Sequence, residues 1–370
     1  MNKFFWQTGA LDYFNRHFYS IYPYLTVRKI VNVVYNYLEF KFKVTSLRSF
    51  PPFIKIEPTA LCHLRCPGCR HADPDYNNQL KPSMRISFDD VKKTIDPLAK
   101  HLIGVSLSNH GEPILHKELA RLIHYIHEQN IAVTFPSNLS IIMSDDYIDN
   151  MVLSGVDTIF VSLDGASEET YVKYRVGGKF ELVKSNVQRL QAAKQRLKQD
   201  RPRLVWKFVI FEHNKHEVDI VRNTFRAIGF DSYEMVMDYR STTHKSKKKR
   251  VKVTTDASMQ IIPKPCFWPW HTMMIDWNGK VAPCCTHQEF DLGNAIETNS
   301  AEVWKSEKYR ELRAGFSDIE HMNPICQRCL GLTSPDALPS NLKNVTNPSV
   351  VITLKSGGTN VPVCDEHPVK

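Results

Sequence analysis

Three cysteines fall close together in TALCHLRCPGCRH, residues 59–71: Cys62, Cys66 and Cys69, spaced C-x3-C-x2-C. No fourth cysteine is near. Structural zinc takes four ligands in a closed tetrahedron, and His63 or His71 would have to complete the set. A [4Fe–4S] cluster normally takes one thiolate per iron. Held by three, it keeps one iron open to a small molecule that brings its own donor atoms. The amino and carboxylate groups of S-adenosylmethionine suit such an iron. An electron from the cluster could then break a sulfonium C–S bond and release a carbon radical, which the protein must place and shield from water.

Such a site needs a rigid frame. Short β-type runs at 53–57, 104–108, 131–135, 158–163, 204–211 and 233–238 alternate with helical patterns. One pattern opens with Ser87 as N-cap and Asp90 three residues on, a capping-box arrangement. Another puts Leu119, Leu122, Ile123 and Ile126 on one face. A third stops at Gly229. About six β-α units imply a parallel sheet with helices outside, an α/β partial (β/α)6 barrel. These sheets place their chemistry at the carboxyl ends of the strands. Cys62 follows the first strand there. NHGEP (109–113), PSNLS (136–140) and SLDG (162–165) follow the next three.

The second half reads differently. HTMMIDWNGKVAPCC alternates around Asn278-Gly279, which predicts a type I′ hairpin. Cys266 precedes it, Cys284 and Cys285 lie on its return strand, and CQRC supplies Cys326 and Cys329. A helix capped by Ser300 lies between. Four cysteines could hold zinc as a ribbon. The first pair, Cys266 and Cys284, is not the tight C-x2-C knuckle of a ribbon.

The C-x3-C-x2-C motif after the first strand of a six-unit β/α frame resembles the radical S-adenosylmethionine (radical SAM) superfamily, over residues 52–240. The resemblance implies that Cys62, Cys66 and Cys69 hold a [4Fe–4S] cluster that binds S-adenosylmethionine. It implies cofactor contacts from Gly111 and Glu112 to the amino group, from Asn138 after strand three, and from Ser162 and Asp164 to ribose or carboxylate. Arg175 resembles the arginine after strand four, and Asn214 the strand-five turn beside the adenine. Gly68 departs from the family's common aromatic residue before the third cysteine, so the backbone or Val209 and Phe211 are the candidates for packing the adenine. The C-x12-Gly-x4-C…C-x2-C run is similar to the auxiliary SPASM domain in its shorter, twitch form: a small α+β unit with a hairpin. That similarity implies a second [4Fe–4S] cluster on Cys266, Cys284, Cys326 and Cys329. A closed cluster can only carry electrons, which favours net oxidation. Cys285 is then spare, either a packed thiol or a hydrogen-atom donor as in radical epimerases.

The expected divisions are an N-terminal aromatic and basic segment (1–50), a radical SAM core (51–255), an auxiliary domain (256–335) and a mobile tail (336–370). The first fifty residues hold fourteen aromatics and seven Lys/Arg against Asp12 and Glu39. Val27, Ile30, Val31, Val34 and Leu38 form a helical stripe. The stripe either packs on the barrel or lies on an anionic membrane through residues 1–45, where a lipid-linked substrate would fit. The net charge is +9. The basic run His244 to Arg250 lacks interleaved aromatics and reads as a solvated loop, so no nucleic acid is expected. No long apolar run and no secretory leader are read, and clustered C-x2-C patterns favour metal over disulfides. NLS at 138 and NVT at 344 match the glycosylation pattern by chance in that setting. The expectation is a cytoplasmic oxidoreductase, with a peripheral place on the inner membrane face as its variant. It would take electrons from a flavodoxin or ferredoxin and act on a small-molecule, peptide or lipid-linked substrate. A radical SAM epimerase and a zinc-stabilised binding protein are the alternatives.

Overall fold

The aliphatic runs form strands within two residues of where their patterning predicts. A computed structural model describes residues 20–238, 266–284, 290–318 and 321–329. Cys285, the basic run at 244–250, the NVT site at 344 and the tail from 336 lie outside the described residues. The strands are β1 Phe53–Ile56, β2 Gly104–Leu107, β3 Ala132–Ser137, β4 Thr158–Ser162, β5 Arg203–Ile210, β6 Ser232–Met237, β7 Thr272–Ile275 and β8 Val281–Ala282. They form one open sheet in the order β6-β5-β4-β3-β2-β1-β7-β8. All neighbours are parallel except β7 and β8.

The helices are α1 Val27–Lys41, α2 Pro74–Gln79, α3 Phe88–Ile95, α4 Leu119–Glu128, α5 Asp145–Leu153, α6 Glu168–Tyr174, α7 Phe180–Arg196, α8 Val218–Ile228, α9 Trp268–His271, α10 Ser300–Trp304, α11 Glu307–Ala314 and α12 Pro324–Cys329. Each crossover between β1 and β6 contains at least one of them, as connections between parallel strands usually do. Leu119, Leu122, Ile123 and Ile126 of α4 are fully buried in the core with Val105, Val133 and Phe135 of the sheet. Truncating one of these, as in Leu122→Ala, costs about 2–5 kcal/mol. Ser87 caps α3 by accepting from Asp90 N at 3.1 Å. Gly229 ends α8 at φ +115°.

Three local expectations are corrected. The turn before β8 is not type I′: Asp276 O accepts from Gly279 N at 2.9 Å, and only Gly279 takes a positive φ, +84°. That is a type I turn followed by a left-handed residue, the three-residue hairpin loop. A Cβ on Gly279 would lie 2.3 Å from Asn294 Oδ1, so only glycine fits. The helical stretch after Asn294 is also divided. Asn299, not Ser300, caps α10, and Ser306 caps α11. Ser300 Oγ instead donates to Thr94 O at 2.7 Å.

The third correction concerns α1. Its apolar stripe does not pack on the barrel: Val27, Ile30, Val31, Val34 and Leu38 are all exposed. Its buried residues are Lys29, Asn32, Asn36 and Glu39. Among the described residues no helix is long and apolar enough to cross a membrane.

Candidate active site

The carboxyl ends of β1 to β5 converge on the three-thiol loop. A tight turn holds the loop: Cys66 O accepts from Cys69 N at 3.0 Å across Gly68, whose φ is +77°. Glycine at 68 therefore serves the turn geometry, not a ring contact. Cys66 lies with Leu64, Tyr174, Val209 and Phe211 in a small buried cluster, and Cys62 and Cys69 pack against it. Val209 and Phe211, the adenine candidates, are thus beside the thiols. The Phe211 ring centroid lies 4.3 Å from that of Tyr174, tilted, and 5.3 Å from that of His213, stacked.

Burial, then the Glu112 charge, push the Cys62 thiol up to about 12, and burial likewise raises Cys66. Such thiols ionise only when a cation takes the proton's place. Arg175 Nη1 stands 3.7 Å from Cys66 Sγ and supplies positive charge to this pocket. Among the described residues, no three His, Cys, Asp or Glu side chains are set to hold a single metal ion. His63 Nε2 is engaged by Ser140 O at 2.9 Å. Three thiols spread over one apolar pocket fit a multi-iron cluster better than a zinc tetrahedron.

The other candidate residues sit at the same edge, but several are occupied with the scaffold. Gly111 packs so closely on the Cys62 loop that a Cβ would lie 1.8 Å from Thr59 O. Glu112 N donates to Leu61 O at 2.7 Å. The buried Glu112 carboxylate accepts from Ser137 Oγ at 2.6 Å and from Asn138 N at 2.8 Å. Burial raises its pKa against the pull of those bonds. It ties the β2 loop to the end of β3. Asn138 Oδ1 accepts from Ser140 N at 2.8 Å.

Asp164 is fully buried and accepts from Arg175 Nε and Nη2, both at 2.6 Å, and from Val209 N at 2.7 Å. This forked pair aims the arginine at Cys66. Burial works against the Arg175 charge, but Asp164 and Cys66 hold its pKa well above the usual value. Asn214 Nδ2 donates to Asp164 O at 3.1 Å and Val209 O at 2.9 Å, and its Oδ1 accepts from Phe211 N at 2.7 Å. It clasps the ends of β4 and β5 together. Ser162 ends β4 and is half-buried.

The second cysteine set flanks the β7–β8 hairpin, with Cys266 before it and Cys284, Cys326 and Cys329 after it. Burial, then the Cys284 and Cys329 charges, raise the Cys326 thiol, so these three share one neighbourhood. Cys326 and Cys329 stand three residues apart on α12, on one face. Cys266 is half-buried and, like Cys326, packs against the main core. Tyr309 is fully buried beside Cys284, and its hydroxyl has no hydrogen-bond partner among the described residues.

One group was not legible in the sequence. Glu57 follows β1 and Asp276 follows β7. Parallel pairing of Ile56 with Ile275 places them side by side at the carboxyl edge. Glu57 Oε1 accepts from His110 N at 3.0 Å and Gly111 N at 3.3 Å, and Asp276 Oδ1 accepts from Asn109 Nδ2 at 3.1 Å. Burial, then the Asp276 charge, raise the Glu57 pKa, and burial raises Asp276. Burial favours the protonated form of both carboxyls, against the pull of Arg70. Their only sequence signal is a polar residue one step past each strand.

Residues 56–199 match the radical SAM superfamily and residues 266–330 match SPASM, an iron–sulfur cluster-binding domain. An AdoMet-dependent heme synthase of Methanosarcina barkeri is 26% identical over 149 residues, 40% of this chain and 41% of that protein. The chain thus spans about two fifths of that relative's length. A second AdoMet-dependent heme synthase, from Oleidesulfovibrio alaskensis, is 25% identical over 70% of this chain and 75% of its own. Among solved structures, Streptococcus suis SuiB bound to its precursor peptide SuiA aligns with TM-score 0.56 at 16% identity, covering 76% of this chain and 71% of that one. Residues 56–199 therefore carry a radical SAM domain and residues 266–330 an SPASM iron–sulfur cluster-binding domain, and the cofactors these domains imply are S-adenosylmethionine and iron–sulfur clusters.

Proposed function

We propose that the protein is a radical SAM oxidoreductase that removes two hydrogens from its substrate. The observation that carries this is the contrast in ligand sets: three thiols at the β1 loop and four cysteines flanking the β7–β8 hairpin. When bound, the cofactors supply a 5′-deoxyadenosyl radical that takes a substrate hydrogen atom, and a closed second cluster that takes an electron.

In this reading Cys62, Cys66 and Cys69 leave one iron open, and Cys266, Cys284, Cys326 and Cys329 leave none. Arg175, aimed by Asp164, sets the charge beside Cys66. Glu112, Gly111, Asn138 and Ser162 line the cofactor's polar side. Val209 and Phe211 pack its ring, and Asn214 fixes the turn that carries them. The departing proton goes to the Glu57–Asp276 pair. Asp276 is half-buried and is the member a substrate can reach, with Glu57 buried behind it. The substrate is a small molecule or a peptide, and SuiB's precursor peptide lends support to the second. The reducing electron comes from a flavodoxin or ferredoxin.

The test is mass spectrometry of a cell extract incubated anaerobically with reconstituted enzyme, S-adenosylmethionine and dithionite. The expected product is two hydrogens lighter than its substrate, with 5′-deoxyadenosine in about equal amount. An isobaric product, lost in Cys285→Ala and kept in Cys326→Ala, would make the enzyme an epimerase.

A further inference from the structure

The amino edge of the sheet carries a helix built inside out. On its inner side, Asn32 Nδ2 donates to Phe50 O and Asn32 Oδ1 accepts from Phe50 N, both at 2.9 Å. Asn36 donates to Ser49 Oγ at 2.9 Å and Trp270 O at 2.5 Å. Lys29 Nζ donates to Asn130 O. Glu39 accepts from Arg48 N at 2.6 Å and from Ser49 Oγ. Buried polar groups are tolerated because each has a partner. Asn36 is 0% exposed, whereas on the outer side Val27 is 79%, Val34 52% and Phe42, just past the helix, 71% exposed. Tyr35, Tyr37 and Leu38 are exposed with them. A helix stabilised by its polar face has no need of an apolar one, and contiguous exposed apolar surface marks an interaction site.

The charges around this face are mainly basic, with Asp96 set among Arg28, Lys29 and Lys100. Arg28, Lys41 and Arg48 are exposed. Glu39 is the one acidic residue between 20 and 50, and it points inward. Lys100 and Lys305 join Arg28 around His101, whose pKa is lowered by burial and then by these three cations. Exposed aliphatic and aromatic residues with a basic rim suit an anionic interface, where the rings and methyls enter the headgroup boundary and the cations meet lipid charge. We propose that the outer face of α1 docks this enzyme on an anionic phospholipid surface.

The orientation has a consequence for substrate. The partners of α1 precede the strands: Ser49 and Phe50 lie before β1, Asn130 before β3, and Trp270 before β7. The three-thiol loop follows β1 at the opposite edge. β5 has eight residues, which span roughly 26 Å at the usual strand rise. The carboxyl edge therefore faces away from the bilayer. On the reading of that edge as the active site, substrate arrives from the aqueous side. A lipid-linked substrate would need a reacting group held at least a strand's length from the membrane.

The test is cosedimentation of the reconstituted full-length chain with vesicles of phosphatidylglycerol and phosphatidylcholine, against phosphatidylcholine alone. Binding should require phosphatidylglycerol and weaken with salt. The triple substitution Val31→Glu, Val34→Glu, Leu38→Glu should weaken it at least tenfold while S-adenosylmethionine cleavage is unchanged. If that variant loses cleavage, the single change Val27→Glu, at the most exposed position, decides by the same comparison. Wild-type protein that stays in the supernatant, or variants that bind equally, would overturn the proposal. So would a wild-type dimer that the substitutions make monomeric without any vesicle binding, since a second copy then covers the face. Cleavage and vesicle binding are separate readouts, so failure of the docking leaves the active-site reading standing, and the reverse.

Discussion

The two cysteine sets differ less in their sulfur than in what surrounds it. Cys62, Cys66 and Cys69 sit on one loop, with Arg175 beside Cys66 and Glu112 charging the neighbourhood of Cys62. The loops after four further strands pack around them. Cys266, Cys284, Cys326 and Cys329 come from scattered places: the start of α9, the end of the hairpin and one face of α12. Tyr309, buried and without a hydrogen-bond partner among the described residues, adjoins Cys284. On the proposed reading, the open site is framed by charge and by loops that can hold a ligand. The closed site would be framed by its own chain, which suits a carrier whose potential depends on burial and nearby dipoles.

The largest effect on this contrast should come from Arg175→Met. It leaves the fully buried Asp164 without its ion partner and should cost about 3–5 kcal/mol of stability, as removal of one member of a buried pair does. Urea unfolding of the apo-protein measures this. Iron at the second site should survive at low temperature. A stability change below 1 kcal/mol would mean that the pair is not formed.

Glu112→Gln should act more weakly. Glutamine keeps one acceptor for Ser137 or Asn138 and loses the other, a cost of about 1–3 kcal/mol. S-adenosylmethionine binding should weaken roughly tenfold, about 1.4 kcal/mol, with both clusters intact. Equilibrium dialysis checks the affinity. Loss of iron at the first site would show that Glu112 builds the loop and does not hold cofactor.

The smallest effect lies far from either site. Burial lowers the Lys29 pKa from 10.5 to about 8. The unfolded chain then binds more protons than the folded one between those values. Stability should therefore rise as pH increases from about 8 toward 10. Lys29→Met should flatten that part of the profile. A wild-type profile that falls there, or a variant profile that still rises, would show that Lys29 is not the group responsible.

Much of this molecule was legible because short-range rules decide it. The strands stand where aliphatic runs alternate with amphipathic helices, and the C-x3-C-x2-C loop follows β1 as that order requires. What was missed depends on distant chain. The stripe on α1 told which residues share a face, but not which face meets the barrel. That was decided by carbonyl and hydroxyl groups near residues 49, 130 and 270, which only an asparagine-rich face could satisfy. The Glu57–Asp276 pair arises from β1–β7 pairing, which local pattern cannot foresee. Asn278-Gly279 predicted the hairpin but not its loop type, because Asp276 and Asn294 close around Gly279. Asp164, Arg175 and Asn214 were found by motif, but their mutual bonds were not.

The most direct test compares two variants side by side, after anaerobic reconstitution. Wild-type protein should hold about eight irons per chain if both clusters have four. The triple variant Cys62→Ala, Cys66→Ala, Cys69→Ala should hold about four and form no 5′-deoxyadenosine from S-adenosylmethionine and dithionite. Cys326→Ala should still form it. Cleavage retained in the triple variant, or abolished in Cys326→Ala with the first cluster intact, would contradict the assignment of the open and closed sites.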